Sequence, residues 1–227
     1  MRHVAQIMGM PISIEIVGAK NHQPFELAFE RLRQIDERFS TYKPDSEVSK
    51  FIIGEIEEKS LSRELKKVIE ACKSWQKQTN GFFSAWASGK FDPSGYVKGW
   101  AIAEAGHEIK KAGFDAYCIG AGGDILASSA DAKRWNIGIQ DPSDKTKILN
   151  KLSISNGAIA TSGNYNRGQH ITNPKTKQPA SYFKSVSITG PDIITADVLA
   201  TAVFAAGPEA GRAILQKFPD YQALLII

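Results

Sequence analysis

Cysteine is scarce in this chain of 227 residues, which contains only Cys72 and Cys118. Two cysteines are too few for a network of disulfide bonds or for a cysteine-rich metal site. Cys72 lies on the apolar stripe of a predicted helix, and Cys118 lies in a predicted strand. We therefore expect both to be buried thiols.

Long apolar runs are missing as well, and no stretch approaches the ~20 apolar residues that a membrane-spanning helix requires. The N-terminus enters a strand pattern at once, without a charged leader, an apolar signal segment or a cysteine for lipid attachment. Because no membrane or export signal is seen in the chain as given, we expect a cytoplasmic protein.

Charge of one sign is not concentrated anywhere in the sequence. The formal net charge is +4 at pH 7, and Lys and Arg are spread along the chain. This pattern disfavours a dedicated nucleic-acid-binding surface, although it leaves room for a local basic pocket that holds phosphate groups.

The composition is that of a globular protein, with 42% hydrophobic and 23% charged residues. The length suits a single domain over residues 1–227, or two small lobes that share a core. No repeat, low-complexity tract or linker stands out in the sequence.

The apolar periodicity predicts a mixture of helices and strands. Helical spacing predicts helices over 24–39, 61–79, 95–112 and 196–217, the last broken at Gly207-Pro208. Strand patterns cover 4–17, 115–120, 124–128, 135–140, 147–160, 182–189 and 221–227. Because these elements mix without a regular βαβ rhythm, we expect an α+β fold and not a doubly wound sheet.

The last predicted helix carries a carboxylate and a hydroxyl at helical spacing. Asp197 and Thr201 are four residues apart, so a helix places both on one face. Such hard oxygen ligands suit a divalent cation that keeps some of its waters and binds substrate phosphates. On spacing alone, the commoner arrangement is a capping Asp and a Thr bonded back to the helix carbonyls.

A second candidate site is a loop that enters a helix, Asp92-Pro93-Ser94-Gly95-Tyr96-Val97-Lys98-Gly99. The free amides and the dipole of a helix N-terminus favour anions, and Lys98 on the first turn adds a positive charge that can reach a phosphate. Asp92 can accept hydrogen bonds from a nucleotide. Taken alone, the same residues are also typical of a helix cap followed by a solvated lysine.

Two further features are weak on their own. The segment Gly120–Ile125 lacks the third glycine before a helix that a dinucleotide-binding fingerprint requires, so we interpret Gly122 and Gly123 as a close approach of the backbone to a neighbour. His170 follows a run of turn-forming residues, at a loop-to-strand junction where functional residues often lie. A lone histidine is nevertheless more often structural.

Taken in order, the motifs resemble those of the ApbE family of flavin transferases, the FAD:protein FMN transferases, over nearly the whole chain. The shared segments are Met8-Gly9-Met10, Phe39-Ser40-Thr41-Tyr42-Lys43-Pro44-Asp45-Ser46, Asp92 to Gly99, Gly122-Gly123-Asp124, Ala160-Thr161-Ser162-Gly163, His170-Ile171-Thr172-Asn173-Pro174 and Ala196-Asp197-Val198-Leu199-Ala200-Thr201. The resemblance implies mixed, largely antiparallel sheets with packed helices.

The resemblance also implies a magnesium site and a site for FAD, which is a substrate. In the family the matching Asp and Thr hold Mg²⁺, which assigns that role to Asp197 and Thr201, with the carbonyl oxygen of Gly95 as a further ligand. The residues implied at the FAD site are Met8, Tyr42, Phe82, Phe83, Ser84, Asp92, Lys98, Gly122, Gly123 and Thr172.

By the same resemblance, His170 is the catalytic residue, since the matching histidine is the proposed base for the acceptor hydroxyl. The family signature here is His-Ile-Ile-Asp-Pro-x-Thr-Gly, and this chain has Thr172, Asn173 and Lys177 where Ile, Asp and Gly are usual. The loss of that Asp bears on the orientation or basicity of His170. Another usual Asp is replaced by Ser84.

A larger departure lies between Ser84 and Asp92. Family members usually have several dozen residues there, whereas only Ala85 to Phe91 intervene in this chain. The chain therefore resembles a short, divergent member that lacks part of the usual scaffold.

The activity implied is Mg²⁺-dependent transfer of FMN from FAD to a Ser or Thr hydroxyl of an acceptor protein, with release of AMP. Two alternatives stay open: an FAD pyrophosphatase, in which water replaces the acceptor, and a non-catalytic FAD-binding protein. The departures at Ser84 and Asn173 and the missing segment make the non-catalytic alternative plausible. The sequence identifies neither the acceptor nor the oligomeric state, and it leaves a homodimer open.

Overall fold

The helices and strands are seen in a computed structural model that describes residues 1–130, 133–144, 146–164 and 171–227. The strands are β1 (Arg2–Ile7), β2 (Met10–Ile16), β3 (Tyr117–Ala121), β4 (Asp124–Ser128), β5 (Trp135–Gln140), β6 (Ile148–Ile154), β7 (Gly157–Gly163), β8 (Ser185–Gly190) and β9 (Gln222–Ile226). The helices are α1 (Gln23–Phe39), α2 (Glu47–Ile52), α3 (Arg63–Gln78), α4 (Ser94–Lys111), α5 (Ile193–Ala206) and α6 (Pro208–Leu215).

Seven of these strands form one sheet in the order β1-β2-β3-β4-β7-β8-β9, in which every neighbouring pair is antiparallel. Strands β5 and β6 form a separate antiparallel ribbon, which the chain inserts between β4 and β7. Helices α4 and α5 pack against the large sheet. An antiparallel sheet with packed helices confirms the predicted α+β fold.

The prediction of one strand over residues 4–17 is wrong, because this segment folds back on itself as the hairpin β1–β2. Its turn consists of Met8 and Gly9, whose φ angles are 56° and 70°. Left-handed conformations at both central residues match the twist of a two-residue hairpin, for which Asn-Gly is the usual sequence. Met8-Gly9 has the glycine of this turn sequence but not the asparagine, so the strand pattern over residues 4–17 shows no clear break.

The single strand predicted over 147–160 is also wrong, since it is divided into β6 in the ribbon and β7 in the large sheet. Asn156 lies between them and fixes the turn to the end of β4. Its Oδ1 accepts a hydrogen bond from the Ser129 N–H at 2.9 Å, and its Nδ2 donates to the Ser129 carbonyl at 2.9 Å. The chain thereby changes sheets without leaving the backbone of Ser129 unpaired.

The helices lie close to their predicted ranges. The Ser62 hydroxyl caps α3 by accepting a hydrogen bond from the Leu65 N–H at 3.1 Å, and the predicted break of the last helix is found at Gly207, where φ is 79°. The short helix α2 was not predicted. No helix among the described residues is both long enough and apolar enough to cross a bilayer.

Helix α5 is central to the packing, because it contacts α4, α6, β7 and β8. Apolar residues are buried around its whole circumference, as is typical of a helix inside a core. Asp197 is the polar exception and is only 2% exposed. A carboxylate at this position needs compensating partners, and these define the site described next.

Candidate active site

A cavity of about 610 Å³ opens between the β1–β2 turn, the start of α4 and one face of α5. Cavities of roughly 300–1,000 Å³ are usual for cofactors and other small molecules. Apart from Gly123, every FAD- or metal-site residue predicted from the sequence and described by the structure lines this cavity. These residues are Met8, Tyr42, Phe82, Phe83, Ser84, Asp92, Gly95, Lys98, Gly122, Thr172, Asp197 and Thr201.

The turn between β3 and β4 contains Gly122 and Gly123, whose φ angles of 56° and 96° favour glycine. A Cβ atom at Gly122 would lie 2.7 Å from the Sδ of Met10, so the predicted close approach is present there. Gly123 is not part of the cavity lining. The turn leads directly into Asp124, the first residue of β4.

Gly99 allows α4 and α5 to approach each other closely. A Cβ atom at this position would lie 3.0 Å from the Cβ of Asp197 and 3.0 Å from the carbonyl oxygen of Ile193. The Gly99 N–H donates a hydrogen bond to Asp197 Oδ2 at 2.8 Å. In a regular α-helix the same N–H pairs with the carbonyl of the residue four positions earlier, Gly95.

Lys98 lies between two buried carboxylates. Its Nζ is 2.7 Å from Asp124 Oδ2 and 3.5 Å from Asp197 Oδ1. Asp124 is fully buried, and its Oδ1 accepts a hydrogen bond from the Thr161 N–H at 3.0 Å. The alternative of a solvated lysine is therefore wrong, because the Lys98 ammonium is held by ion pairs at the cavity wall.

Burial raises the pKa of Asp197 to about 7, because an ionised carboxylate is poorly solvated in the core. The positive charge of Lys98 opposes this effect, the negative charge of Asp124 adds to it, and the hydrogen bond from Gly99 opposes it. Asp197 therefore exchanges its proton near neutral pH, and a cation that binds this carboxylate must displace the proton.

Thr201 lies one turn after Asp197 on α5 and lines the same cavity. Its Oγ1 is 3.2 Å from the Ser162 Oγ, and a Cβ atom at Gly95 would lie 3.8 Å from that same Oγ1. The chain thus brings a carboxylate, a hydroxyl and the Gly95 backbone together. These are hard oxygen ligands of the kind that Mg²⁺ prefers.

The described part of the chain contains no group of three or more His, Cys, Asp or Glu side chains that could hold a metal ion. A cation at Asp197 would therefore bind one carboxylate and neutral oxygens, with water or phosphate completing its shell. That pattern is typical of Mg²⁺, which dehydrates reluctantly and is usually bound through one or two carboxylates and substrate phosphates.

The N-terminus of α4 is shaped by Asp92, whose Oδ1 accepts a hydrogen bond from the Ser94 N–H at 3.0 Å. Asp92, Ser94 and Gly95 all line the cavity. The partial positive charge of a helix N-terminus, together with Lys98, favours an anionic group on this side of the cavity.

A turn after α3 places the aromatic residues of the site. Thr79 is fully buried; its hydroxyl donates to the Trp75 carbonyl at 2.7 Å and accepts from the Phe83 N–H at 3.1 Å. The Phe83 ring is buried beside Gly95, where a Cβ atom would lie 3.3 Å from it. Phe83 therefore packs against the start of α4 and supports the oxygen ligands.

The mouth of the cavity carries residues that could contact a planar ligand. The Tyr42 side chain is 93% exposed, and Met8 lies in the β1–β2 turn. Phe82 is half-buried, with the Lys175 Nζ at 4.1 Å from the centre of its ring. Aromatic faces and a thioether are suited to packing against a flavin or an adenine ring.

Both departures from the family pattern retain local turn contacts. The Ser84 hydroxyl accepts a hydrogen bond from the Trp86 N–H at 3.1 Å. The Asn173 Oδ1 accepts from the Lys175 N–H at 2.9 Å and from the Thr176 N–H at 3.3 Å. An aspartate can accept the same bonds, so the chain keeps the turns and loses a negative charge at each position.

The predicted catalytic residue, His170, lies outside the described residues. Its neighbours Ile171 and Thr172 line the cavity, and Thr172 forms a β-bridge with Pro179. Ile171, the first described residue after His170, thus lies at the cavity wall.

No role was predicted for Asp124, Thr161 or Ser162, although each lies in one of the shared motifs. Asp124 follows two glycines, and Thr161 and Ser162 stand together in a strand of small residues. Two signals could have identified them: an acidic residue directly after a glycine turn, and a pair of adjacent hydroxyl residues. Their partners, Lys98 and Thr201, become visible only after folding.

The short connection between Ser84 and Asp92 is closed by its own contacts. The Asp92 N–H donates to the Ala85 carbonyl at 2.7 Å. The ring of Phe91 is buried, with centroids 5.1 Å from the ring of Trp86 and 5.8 Å from that of Phe51. The connection thus forms a short turn, held by the packing of Phe91, that leads into Asp92.

The cavity thus brings oxygen atoms of Asp197 and Thr201, the N-terminus of α4 and the Lys98 ammonium to one wall of an antiparallel α+β fold. A model of the ApbE family matches residues 8–88 and 85–225, and this chain therefore belongs to the ApbE family. The two matched ranges overlap at residues 85–88, in the connection between Ser84 and Asp92.

Curated relatives match about half of this chain. The FAD:protein FMN transferase of Treponema pallidum is 38% identical over 116 residues, which are 46% of this chain and 32% of that protein. The FAD:protein FMN transferase of Vibrio cholerae is 31% identical over 137 residues, which are 55% of this chain and 41% of that protein. The matched region is thus less than half the length of either relative.

Solved structures match nearly the whole chain. The flavin transferase ApbE from Vibrio cholerae superposes with a TM-score of 0.83 at 20% identity, covering 100% of this chain and 96% of that one. The ApbE protein from Thermotoga maritima gives a TM-score of 0.85 at 22% identity, covering 99% and 93%. At these identities the two structures establish the shared fold.

Proposed function

We propose that this chain transfers FMN from FAD to a Ser or Thr hydroxyl of an acceptor protein, in a Mg²⁺-dependent reaction that releases AMP. The observation that carries the proposal is the convergence of Gly95, Asp197 and Thr201 beside Lys98 in one cavity. Curated relatives of this ApbE-family chain bear the name FAD:protein FMN transferase. We further propose that residues 1–227 act as a single FAD-binding domain.

Asp197, Thr201 and the Gly95 carbonyl are the residues that would hold Mg²⁺. The Gly99 N–H donates to Asp197 Oδ2 at 2.8 Å, which fixes this carboxylate beside the first turn of α4. A carbonyl oxygen has two lone pairs, so the Gly95 carbonyl has capacity for a ligand even when it accepts a helix hydrogen bond. Magnesium bound there supplies charge neutralisation at a phosphate oxygen.

The pyrophosphate of FAD would lie between these oxygens and the N-terminus of α4. Lys98 is a cation at this part of the cavity wall, and its ammonium would offer donors to phosphate oxygens while it stays paired with Asp124. Phosphoryl transfer needs chiefly positioning and charge stabilisation, and both are features of this wall.

The flavin and adenine rings would pack near the cavity mouth. Tyr42, Phe82 and Met8 offer an exposed ring, a half-buried ring and a thioether at this edge. A volume of about 610 Å³ is sufficient to enclose a large part of a dinucleotide and leaves the remainder at the open mouth.

His170 would act as the general base. It would take the proton of the acceptor hydroxyl as that oxygen attacks the phosphorus on the FMN side, while the bond from this phosphorus to the oxygen of AMP breaks. FMN is thereby joined to the acceptor by a phosphoester and AMP leaves. In the pyrophosphatase alternative, water takes the place of the hydroxyl.

The test uses the covalent bond that separates the two reactions. The purified chain is incubated with FAD, Mg²⁺ and a bacterial protein extract, and flavin fluorescence is read in a denaturing gel. Transfer predicts a fluorescent protein band that requires both Mg²⁺ and Asp197, with Asp197→Asn as the matched variant. Free FMN without any fluorescent band would identify a pyrophosphatase, and intact FAD throughout would indicate a binding protein.

A further inference from the structure

We propose that Asp124 is a positioning residue, which holds the Lys98 ammonium away from Asp197 and so leaves the Asp197 carboxylate for the cation. The inference rests on the proposed function, because it concerns the same metal site. Asp124 does not line the cavity itself, so it would act on the cation only through its ion pair with Lys98.

The distances divide Lys98 unequally between its two partners. Its Nζ is 2.7 Å from Asp124 Oδ2, which is the length of a charge-assisted hydrogen bond, and 3.5 Å from Asp197 Oδ1, which is longer than such a bond. Asp124 therefore takes the stronger contact. Asp197 keeps one oxygen for Gly99 and directs the other towards Lys98 and the cavity.

Asp124 is suited to this role because it cannot follow Lys98 into the cavity. It is fully buried at the start of β4, directly after the left-handed turn at Gly122 and Gly123. Its Oδ1 is fixed by the Thr161 N–H at 3.0 Å. The carboxylate is thus a rigid anchor, whereas the Lys98 side chain is flexible.

Loss of the Asp124 charge would create a competitor for the cation. An ammonium that is largely removed from water needs an anionic partner, and the nearest remaining carboxylate would be Asp197. With both carboxylates ionised, Lys98, Asp124 and Asp197 together carry one net negative charge; without the Asp124 charge, Lys98 and Asp197 together carry none. Lys98 would then occupy the oxygen that the cation requires.

The experiment is a double-mutant cycle read by Mn²⁺ alone. Mn²⁺ affinity is measured by electron paramagnetic resonance, without FAD, for the unsubstituted chain, Asp124→Asn, Lys98→Met and the double variant. Asp192→Asn is the matched control, because Asp192 caps α5 through the Thr195 N–H at 2.7 Å and does not line the cavity. It should bind Mn²⁺ as the unsubstituted chain does.

The expected result is a loss of about tenfold in Mn²⁺ affinity for Asp124→Asn when Lys98 is present, and little loss in the Lys98→Met background. An equal loss in both backgrounds would mean that Asp124 acts on the cation directly, which overturns the inference. An unchanged affinity in Asp124→Asn overturns it as well. Circular dichroism verifies that each variant is folded.

Two outcomes separate this inference from the proposed function. If the unsubstituted chain binds no Mn²⁺, the metal site is refuted and the inference falls with it. If that chain binds Mn²⁺ but the cycle shows no coupling, only the role of Asp124 is refuted. Should Asp124→Asn not fold, Asp124→Ser takes its place, because its hydroxyl can still accept from the Thr161 N–H.

Discussion

Asp197 is a buried carboxyl group whose ionisation opposes folding of the metal-free chain. Its pKa is raised from an ordinary value of 3.8 to about 7, chiefly by burial. The folded chain therefore binds more protons than the unfolded chain between these two values. The stabilisation that comes from the proton is present at low pH and is lost as the pH rises towards 7.

This loss of stability with rising pH leads to a prediction for Asp197→Asn, in which the amide imitates the protonated acid. With a chelator present, the two chains should have similar free energies of unfolding at about pH 3, below both pKa values of Asp197, whereas the variant should be more stable at about pH 8, by on the order of 1–4 kcal/mol. Urea denaturation at both pH values measures the difference. A variant that is less stable than the unsubstituted chain at the higher pH contradicts the account.

Ser162 is a second residue of the site, and its effect on cation binding can be distinguished from the effect of its burial on packing. Its Oγ is 3.2 Å from the Thr201 Oγ1, so its hydroxyl can fix the orientation of the Thr201 lone pairs. Ser162→Ala should weaken Mn²⁺ binding by a few-fold, on the order of 1 kcal/mol for a lost hydrogen bond. Isothermal titration calorimetry with Mn²⁺ provides the measurement.

Ser187→Ala is the matched control for that variant. Ser187 is also buried, on the neighbouring strand β8, but its Oγ pairs with the Thr161 Oγ1 at 2.8 Å and not with Thr201. It should bind Mn²⁺ unchanged. Equal weakening in the two serine variants would indicate a general packing effect and would remove the specific role of Ser162.

For individual residues, the sequence predicts which side chains belong to the site better than it predicts the partners that they contact. Asp197, Thr201 and Lys98 were all predicted from motifs, and all line one cavity. The solvated alternative for Lys98 was wrong, because its anchor Asp124 lies on a strand remote in sequence. An ion pair between distant segments leaves no local periodic signal, whereas a helix spacing of four residues does.

Among the elements, the contact between α4 and α5 has the greatest influence on the site. Gly99 lets the two helices approach, and it also donates its N–H to Asp197. Helix propensity alone would make Gly99→Ala stabilising by about 1 kcal/mol. The added Cβ atom would, however, lie 3.0 Å from both the Asp197 Cβ and the Ile193 carbonyl oxygen.

We therefore predict that overlap outweighs propensity and that Gly99→Ala destabilises the fold by about 1–3 kcal/mol. Mn²⁺ affinity should fall in parallel, because Asp197 would be displaced. His107→Ala, an exposed position of the same helix, should change stability by less than about 0.5 kcal/mol. A Gly99→Ala chain more stable than its parent in urea would show that the helices can separate without cost.

The elements also show where sequence patterns were sufficient. α1, α3 and α4 were predicted because apolar stripes and end signals coincide in them. The hairpin β1–β2 and the change of sheet after β6 were missed, because Met8-Gly9 and Asn156 are weak turn signals inside continuous strand patterns. Register and sheet partner depend on tertiary packing, which local patterns do not encode.

At the level of the whole molecule, the order of the strands in the large sheet determines which residues meet at the site. β4 and β7 are neighbours in the sheet, and both lie against α5. This arrangement brings Ser162 and Thr201 together at the cavity wall and pairs the buried Asp124 with the Thr161 N–H, although these residues are far apart in sequence. The family resemblance predicted Asp197, Thr201 and Lys98, whereas the contacts of Ser162 and Asp124 with them are visible only in the folded chain.

The connection at residues 85–91, which the family resemblance indicates is short, bears on whether this chain is active. It leads into Asp92 through a hydrogen bond from the Asp92 N–H to Ala85 and through the buried ring of Phe91. The cavity residues on both sides of it are in place. We therefore expect the short form to retain the chemistry of the site.

The most direct measurement is the amount of AMP and free FMN formed from FAD in one reaction, resolved by chromatography. The purified chain is supplied with FAD and a protein extract, with and without Mg²⁺, beside an Asp197→Asn sample. The account predicts Mg²⁺-dependent AMP that exceeds free FMN, since the missing FMN is bound to protein, and no AMP from the variant. Equal AMP and FMN, or AMP formation that persists without Mg²⁺ or in Asp197→Asn, would contradict it.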